Sequence, residues 1–298
     1  MPRVSVIIPS RTERFLPHTV RDILAKAAGD IEVLAVCDGY WEQDLPADPR
    51  LKVLHHGEAK GMRACINHGA AIATGEYLLK VDAHCMFAQG FDEVLVQHHM
   101  EQNWIVIPRR YSLDAELWQP RPEKSPIDYH YLSCPITNKD GYSMHGVPWK
   151  ERDRARANKP EFLLDETPSF QGSCWFMHRT HFHDFLGGMS EEGYGGFSQE
   201  PQEIGNKTWL GGGKVMTNKH TWYAHLHKGK QYGRGYFMPK DEVIRGHEYS
   251  ARYWMNNQWE HRVHNIEWLI DRFPDMPSWF SGWQDKRNET LREVPATA

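Results

Sequence analysis

The sequence predicts an α/β fold in which a mostly parallel central sheet is flanked by helices. Three observations carry that prediction. Short apolar runs alternate with helical segments through the first hundred residues, and the alternation repeats in order. The chain has 298 residues, 40% apolar and 25% charged, and a chain of this size buries roughly 75% of its unfolded surface. Disorder is therefore excluded as its main state.

Val4 to Ile8 reads as the first strand. A helix follows from about Pro17 to Ala28, with proline suited to the first turn and Gly29 to the exit. Ile31 to Cys37 and Leu51 to Leu54 are the next strands, a helix runs from about Gly61 to Thr74, and Tyr77 to Asp82 is a fourth strand. Strands alternating with helices imply right-handed crossovers and a ligand at the carboxyl ends of the strands. After Trp104 to Pro108 the texture turns rich in Pro, Tyr and Trp. Residues 111–166 read as loops and short strands, either an acceptor wall or an irregular sheet edge. Val263, Ile266, Ile270 and Phe273 recur at helical spacing and mark an amphipathic helix packed on the main body. From Gln284 onward the chain is polar and is expected to fray.

Composition excludes several classes. No run approaches the ~18 apolar residues of a membrane helix, and Val4 to Ile8 is too short for a signal peptide. Five cysteines without a CxxC pair argue against a zinc knuckle or a disulfide framework. A cytoplasmic setting is the expectation. The net charge of −4 provides no global attraction for nucleic acid and leaves room only for a local basic groove. Twelve tryptophans and 18 histidines supply stacking faces and metal ligands, or half-buried structural residues.

Chemistry in such sheets gathers at strand ends, here Pro9-Ser10-Arg11, Cys37-Asp38-Gly39 and Val81-Asp82-Ala83-His84. Asp38 suits a ribose or a base edge, or caps the next turn. Asp82 and His84 alternate as they leave a strand, so a carboxylate oxygen and an imidazole nitrogen can meet one ion. A hard divalent cation, Mn²⁺ or Mg²⁺, keeps open positions that a nucleotide diphosphate fills.

The segment from Gly61 through Arg63, Asn67, Gly69 and Gly75 to Asp82-Ala83-His84-Cys85 resembles the nucleotide-sugar-binding half of GT-A glycosyltransferases. It is most similar to the polypeptide N-acetylgalactosaminyltransferases, which carry Asp-x-His where most relatives carry Asp-x-Asp. Val4 to Pro9 and Asp38-Gly39 resemble the family-two glycosyltransferases. Thr167 to Phe176, Gly195 to Glu203 and Ala224-His225-Leu226-His227-Lys228 follow in the order of the same enzymes, so the resemblance covers about residues 3–236.

The resemblance implies a Rossmann-like GT-A catalytic domain over 1–246, with a nucleotide-binding half (1–110), an acceptor and metal half (111–246), and a C-terminal helical extension (247–298). It implies metal-dependent transfer of a sugar from a UDP-sugar to an acceptor hydroxyl, with retention. A protein, a glycan or a hydroxymethylated viral DNA base would serve as acceptor. The alternative is a protein of the same fold that binds nucleotide-sugars or glycans and has lost catalysis. Without the membrane anchor and lectin domain of the eukaryotic enzymes, a bare catalytic domain in a prokaryotic or virus-infected cytoplasm is expected.

Residue by residue, the resemblance assigns the metal to Asp82, His84 and His225, with His227 the rival for the third place. Donor binding falls to Pro9, Ser10, Arg11, Asp38, Gly61, Arg63, Asn67, Asp82, Gly172, Trp175, Lys228, Arg234 and Tyr236. Arg63 either anchors the nucleotide or sits on a solvated helix face. Trp175 and Trp209 are candidate sugar platforms. Lys228 to Tyr236 mixes cations, rings and glycines, as suits a loop closing over a diphosphate or an exposed turn. Glu200 is placed nearest the reacting sugar, with Glu203 as a second catalytic carboxylate. Gln199 and Pro201 replace the second glycine and the asparagine of the family's motif, so the backbone around Glu200 must differ.

Overall fold

The computed structural model describes residues 3–139, 141–157 and 159–292. The first half alternates as its sequence predicts: β1 (Val4–Ser10), α1 (Leu16–Lys26), β2 (Ile31–Asp38), β3 (Leu51–His56), α2 (Met62–Ile72) and β4 (Tyr77–Val81). A short β5 (Cys85–Phe87), α3 (Phe91–Gln97) and a long β6 (Trp104–Asp114) follow. The Pro- and Tyr-rich stretch contains β7 (Gln119–Pro120), β8 (His130–Leu132), β9 (Gly146–Pro148), α4 (Lys150–Arg156) and β10 (Leu164–Glu166). Beyond it come β11 (Cys174–His178), α5 (Glu200–Leu210), β12 (Lys214–His225), α6 (Gly229–Tyr232), α7 (Lys240–Met255), α8 (Ile266–Arg272) and α9 (Trp283–Arg292).

The main sheet runs β10-β12-β6-β11-β4-β1-β2-β3. Strands β1 to β4, β6 and β12 share one direction, while β10 and β11 reverse. Both β1 and β2 are buried almost throughout, which is why they read as continuous apolar runs: helices cover a parallel strand on both faces. On one face α1 and α3 pack Leu16, Val20, Ile23 and Phe91 against Val6, Ile8 and Val33. On the other, α2, α5, α7 and α8 bring Ile66, Ile204, Trp254 and Ile266 to the core around Ile7, Leu34 and Leu78. β5 pairs antiparallel with β12, setting His225 opposite Cys85, and this pairing carries a distant histidine to the end of β4.

Two expectations change. Val263 is 68% exposed and lies ahead of α8, whose N-terminus is capped by the Asn265 side chain accepting from the Trp268 amide. Gln284 to Arg292 is helical, because Trp283 is buried and Arg287 pairs with Glu267; residues 293–298 of the expected frayed tail lie outside the described residues. The 246/247 boundary falls inside α7, where Ala251, Trp254 and Met255 join the same core as the sheet. Among the described residues, no helix is long and apolar enough to cross a membrane.

Candidate active site

A cavity of about 730 Å³ opens at the carboxyl ends of β1, β2 and β4. Pro9, Ser10, Arg11, Asp38, Gly61, Asp82, His84 and His225 line one side; Gly196 to Ser198 and residues between His227 and Val243 line the other. Parallel strands on either side of a change in strand order leave such a crevice.

Asp82 and His84 occupy the turn between β4 and β5, and His225 ends β12. His225 Nε2 lies 3.1 Å from His84 Nε2 and 3.3 Å from Asp82 Oδ2, and His84 Nε2 is 3.9 Å from that same oxygen. Adjacent oxygen or nitrogen ligands on a small divalent ion, with bonds of ~2.1 Å, stand about 3 Å apart. The set therefore fits a cation. Burial, offset by Asp82 and reinforced by His84, pushes the His225 imidazole down to about 3, so it is in the neutral form that ligates. Burial alone would raise the Asp82 carboxyl, but the charge of Lys80 and the hydrogen bond from His225 hold it well below the usual range. His227 stands outside the set, its ring perpendicular to that of His225 with centroids 5.0 Å apart.

Lys80 was missed in the sequence. It sits on β4 two residues from Asp82 and so on the same side of the strand. Fully buried, its ammonium donates to Asp82 Oδ1 at 2.8 Å, the Gly172 carbonyl at 2.6 Å and Glu200 Oε2 at 3.1 Å. Burial opposes its charge, yet Asp82 and Glu200 outweigh that and raise its pKa. One Asp82 oxygen is thus tied down and the other faces the histidines. A lone lysine inside the apolar run Tyr77 to Val81 was the available signal.

Glu200 was expected beside the reacting sugar, and the structure places it behind the metal set. It is buried, accepting from Trp175 Nε1 and from Lys80, and burial raises its carboxyl above the ordinary range despite Lys80. Gly172 leaves it room: a Cβ there would lie 2.9 Å from Glu200 Oε2. Trp175 and Trp209 are fully buried, so neither offers a face to a sugar. Trp209 instead donates to the Thr167 carbonyl.

Arg63, Asn67 and Glu203 also lie outside the cavity, and Arg63 is not on a solvated face. Arg63 pairs with Glu203, donates to the Ser198 carbonyl at 3.0 Å and the Ser190 carbonyl at 2.8 Å, and lies over the Tyr194 ring. Asn67 exchanges hydrogen bonds with the Met189 backbone. Together they prop the 189–198 segment, whose last three residues line the cavity. At the end of β2, Asp38 accepts from the Lys60 and Gly61 amides at 2.7 and 3.0 Å and contacts His56 Nδ1 at 3.0 Å. Gly61 has a φ of +95°, and a Cβ on it would lie 2.8 Å from the Gly196 backbone.

In the segment after β12, Arg234 lies over Phe197, Arg11 lies over Tyr236, and Phe237 stands 82% exposed at the rim. Lys228 pairs with Glu13, a cavity residue the sequence reading did not single out.

The family model for glycosyl transferase family 2 matches residues 5–186, more than half of the chain. The chain belongs to that family. The match ends before His225, so this glycosyltransferase completes its candidate metal set outside the matched segment. It is 25% identical over 235 residues to polypeptide N-acetylgalactosaminyltransferase 5 of Caenorhabditis elegans, covering 72% of this chain and 35% of that protein. The chain thus spans about a third of that relative. A crystal structure of GalNAc-T7 with UDP, GalNAc and Mn²⁺ superimposes with a TM-score of 0.69 at 16% identity, over 98% of this chain and 55% of the other. A structure of S. aureus TarS 1-349 in complex with UDP-GlcNAc gives 0.52 at 14% identity, over 96% and 70%. These likenesses show a GT-A fold.

Proposed function

We propose that this glycosyltransferase moves a sugar from a UDP-sugar to an acceptor hydroxyl, with Mn²⁺ or Mg²⁺ held by Asp82, His84 and His225. The observation that carries the reading is the meeting of those three donor atoms in the same cavity as Asp38. UDP or a UDP-sugar in the two structural neighbours, and Mn²⁺ in one, support it. A bound cation would neutralise charge on the departing diphosphate. Asp38 accepts from the nucleoside, while Lys228 and Arg234 bring positive charge to the phosphate side.

We read the transfer as retaining. An inverting enzyme needs a base for the acceptor proton, and the carboxylates lining the cavity are engaged: Glu13 by Lys228, Asp38 by backbone amides, Asp82 by Lys80 and Glu242 by the Gly196 amide. Proton NMR of the fresh product reads the anomeric configuration, and an inverted product would point to His227, the remaining imidazole on the cavity wall. The acceptor is a protein or glycan hydroxyl, to be tested on a panel that includes hydroxymethylated DNA.

Calorimetric titration of UDP with Mn²⁺ and with EDTA, on the wild type and on Asp82→Ala, tests the donor site. Metal-dependent binding that the substitution abolishes is expected. Binding that ignores both the chelator and the substitution would overturn the metal assignment.

A further inference from the structure

Glu13, in the loop between β1 and α1, touches two parts of the site at once. It is 7% exposed. Its Oε2 lies 3.2 Å from Nδ1 of His84 and also pairs with the Lys228 ammonium, while Oε1 accepts from the Phe15 amide at 3.3 Å. His84 turns Nε2 toward Asp82 and His225. Its buried Nδ1 has no aligned hydrogen-bond partner among the described residues, and Glu13 Oε2, 3.2 Å away, is the acceptor within reach.

A neutral imidazole has one N–H and one lone pair, so a ring that gives Nε2 to a cation must carry its proton on Nδ1. Left alone, the ring populates both tautomers and rotates. A carboxylate at Nδ1 fixes both, and it makes the ligating nitrogen more basic. We propose that Glu13 is a positioning residue of the metal centre: it takes the Nδ1–H of His84 and thereby presents the Nε2 lone pair beside Asp82 and His225. The same oxygen holds Lys228, so the imidazole and the first residue of the 228–239 segment share one anchor. This inference rests on the metal reading above. A merely local role, as a counter-charge for Lys228 or a brace for the start of α1, would leave the tautomer and the cation affinity unchanged.

Mn²⁺ affinity, measured by electron paramagnetic resonance of the free ion, separates these possibilities in the wild type, Glu13→Ala, Glu13→Gln and Lys228→Met. Loss of an outer partner of this kind costs about 10- to 100-fold in metal affinity, and Glu13→Ala is expected in that range. Glu13→Gln, whose amide oxygen still accepts, falls between it and the wild type. Lys228→Met keeps the contact with His84 and stays within about threefold of the wild type. In the metal-free protein, ¹⁵N NMR of His84 should show the Nδ1–H form in the wild type and a mixture in Glu13→Ala. Equal Mn²⁺ affinity in wild type and Glu13→Ala would overturn the proposal, as would equal losses in Glu13→Ala and Lys228→Met. Should Glu13→Ala fail to fold, Glu13→Gln carries the same comparison. A wild type that binds no Mn²⁺ would instead bring down the metal reading itself.

Discussion

At the end of β2, Asp38 stands with His56 and Cys65; at the end of β4, Asp82 stands with His84 and His225. Each trio offers ligand types within 4.8 Å of one another. In the first, most of the polar capacity is spent internally, and one lone pair of Asp38 Oδ2 is left over. Backbone amides and His56 occupy Asp38, and His56 Nε2 meets His68 Nδ1 at 2.8 Å. Burial, then the nearby Asp38 charge, raises the Cys65 thiol so far that it keeps its proton and is a poor ligand. In the second, Lys80 takes one carboxylate oxygen and leaves the other facing two imidazole nitrogens. The donor types are nearly the same, and the hydrogen-bond accounting separates a brace from a cation site.

Four substitutions break or sharpen that contrast. The largest effect belongs to His84→Ala. A cation contributes several kcal/mol to such a transfer, so turnover in Mn²⁺ should fall roughly a thousandfold. Residual activity near the wild-type level would erase the distinction between the two trios. Lys80→Met comes next. It leaves Glu200 buried without its cation, and removing one partner of a buried pair costs about 3–5 kcal/mol. Chemical denaturation should show that loss, and Glu200→Gln in the same chain should restore most of it.

Asp38→Asn is smaller. Burial would raise the Asp38 carboxyl, but the two amides and His56 hold it below its ordinary value near 3.8. Its contribution, about 1.5–3 kcal/mol for a hydrogen bond to a charged group, is therefore present above pH ~4 and is lost as the solution is acidified through the lowered folded value. The asparagine variant should show a flatter stability profile below pH 4 and weaker UDP binding, with Mn²⁺ affinity unchanged. Cys65→Ser has the least effect: Mn²⁺ affinity within about threefold of wild type. A large loss there would mean that the Asp38, His56 and Cys65 trio takes metal after all.

The βα half was legible because parallel strands covered on both faces write themselves as apolar runs, and β1, β2 and β4 lie where those runs fall. Asp82 and His84 were legible together, being two residues apart at a strand end. His225 came only from the order of family-like segments, since the β5 to β12 pairing that delivers it has no local signature. Glu200, Trp175 and Arg63 were expected to face the donor and instead face partners more than twenty residues away. Lys80 holds Glu200, Glu200 holds Trp175, and the Ser190 and Ser198 carbonyls hold Arg63, contacts that exist only after folding.

Helix α7 is 16 residues long, roughly 24 Å end to end. Glu242 in its first turn accepts from the Gly196 amide on the cavity wall, and Trp254 and Met255 in its last turn lie in the core with Trp259 and Ile266. It ties the mouth of the cavity to the core. A change in bulk at Trp254 is therefore expected to register at Glu242 and the Gly196 wall, while Asp82, His84 and His225, which α7 does not carry, keep their places.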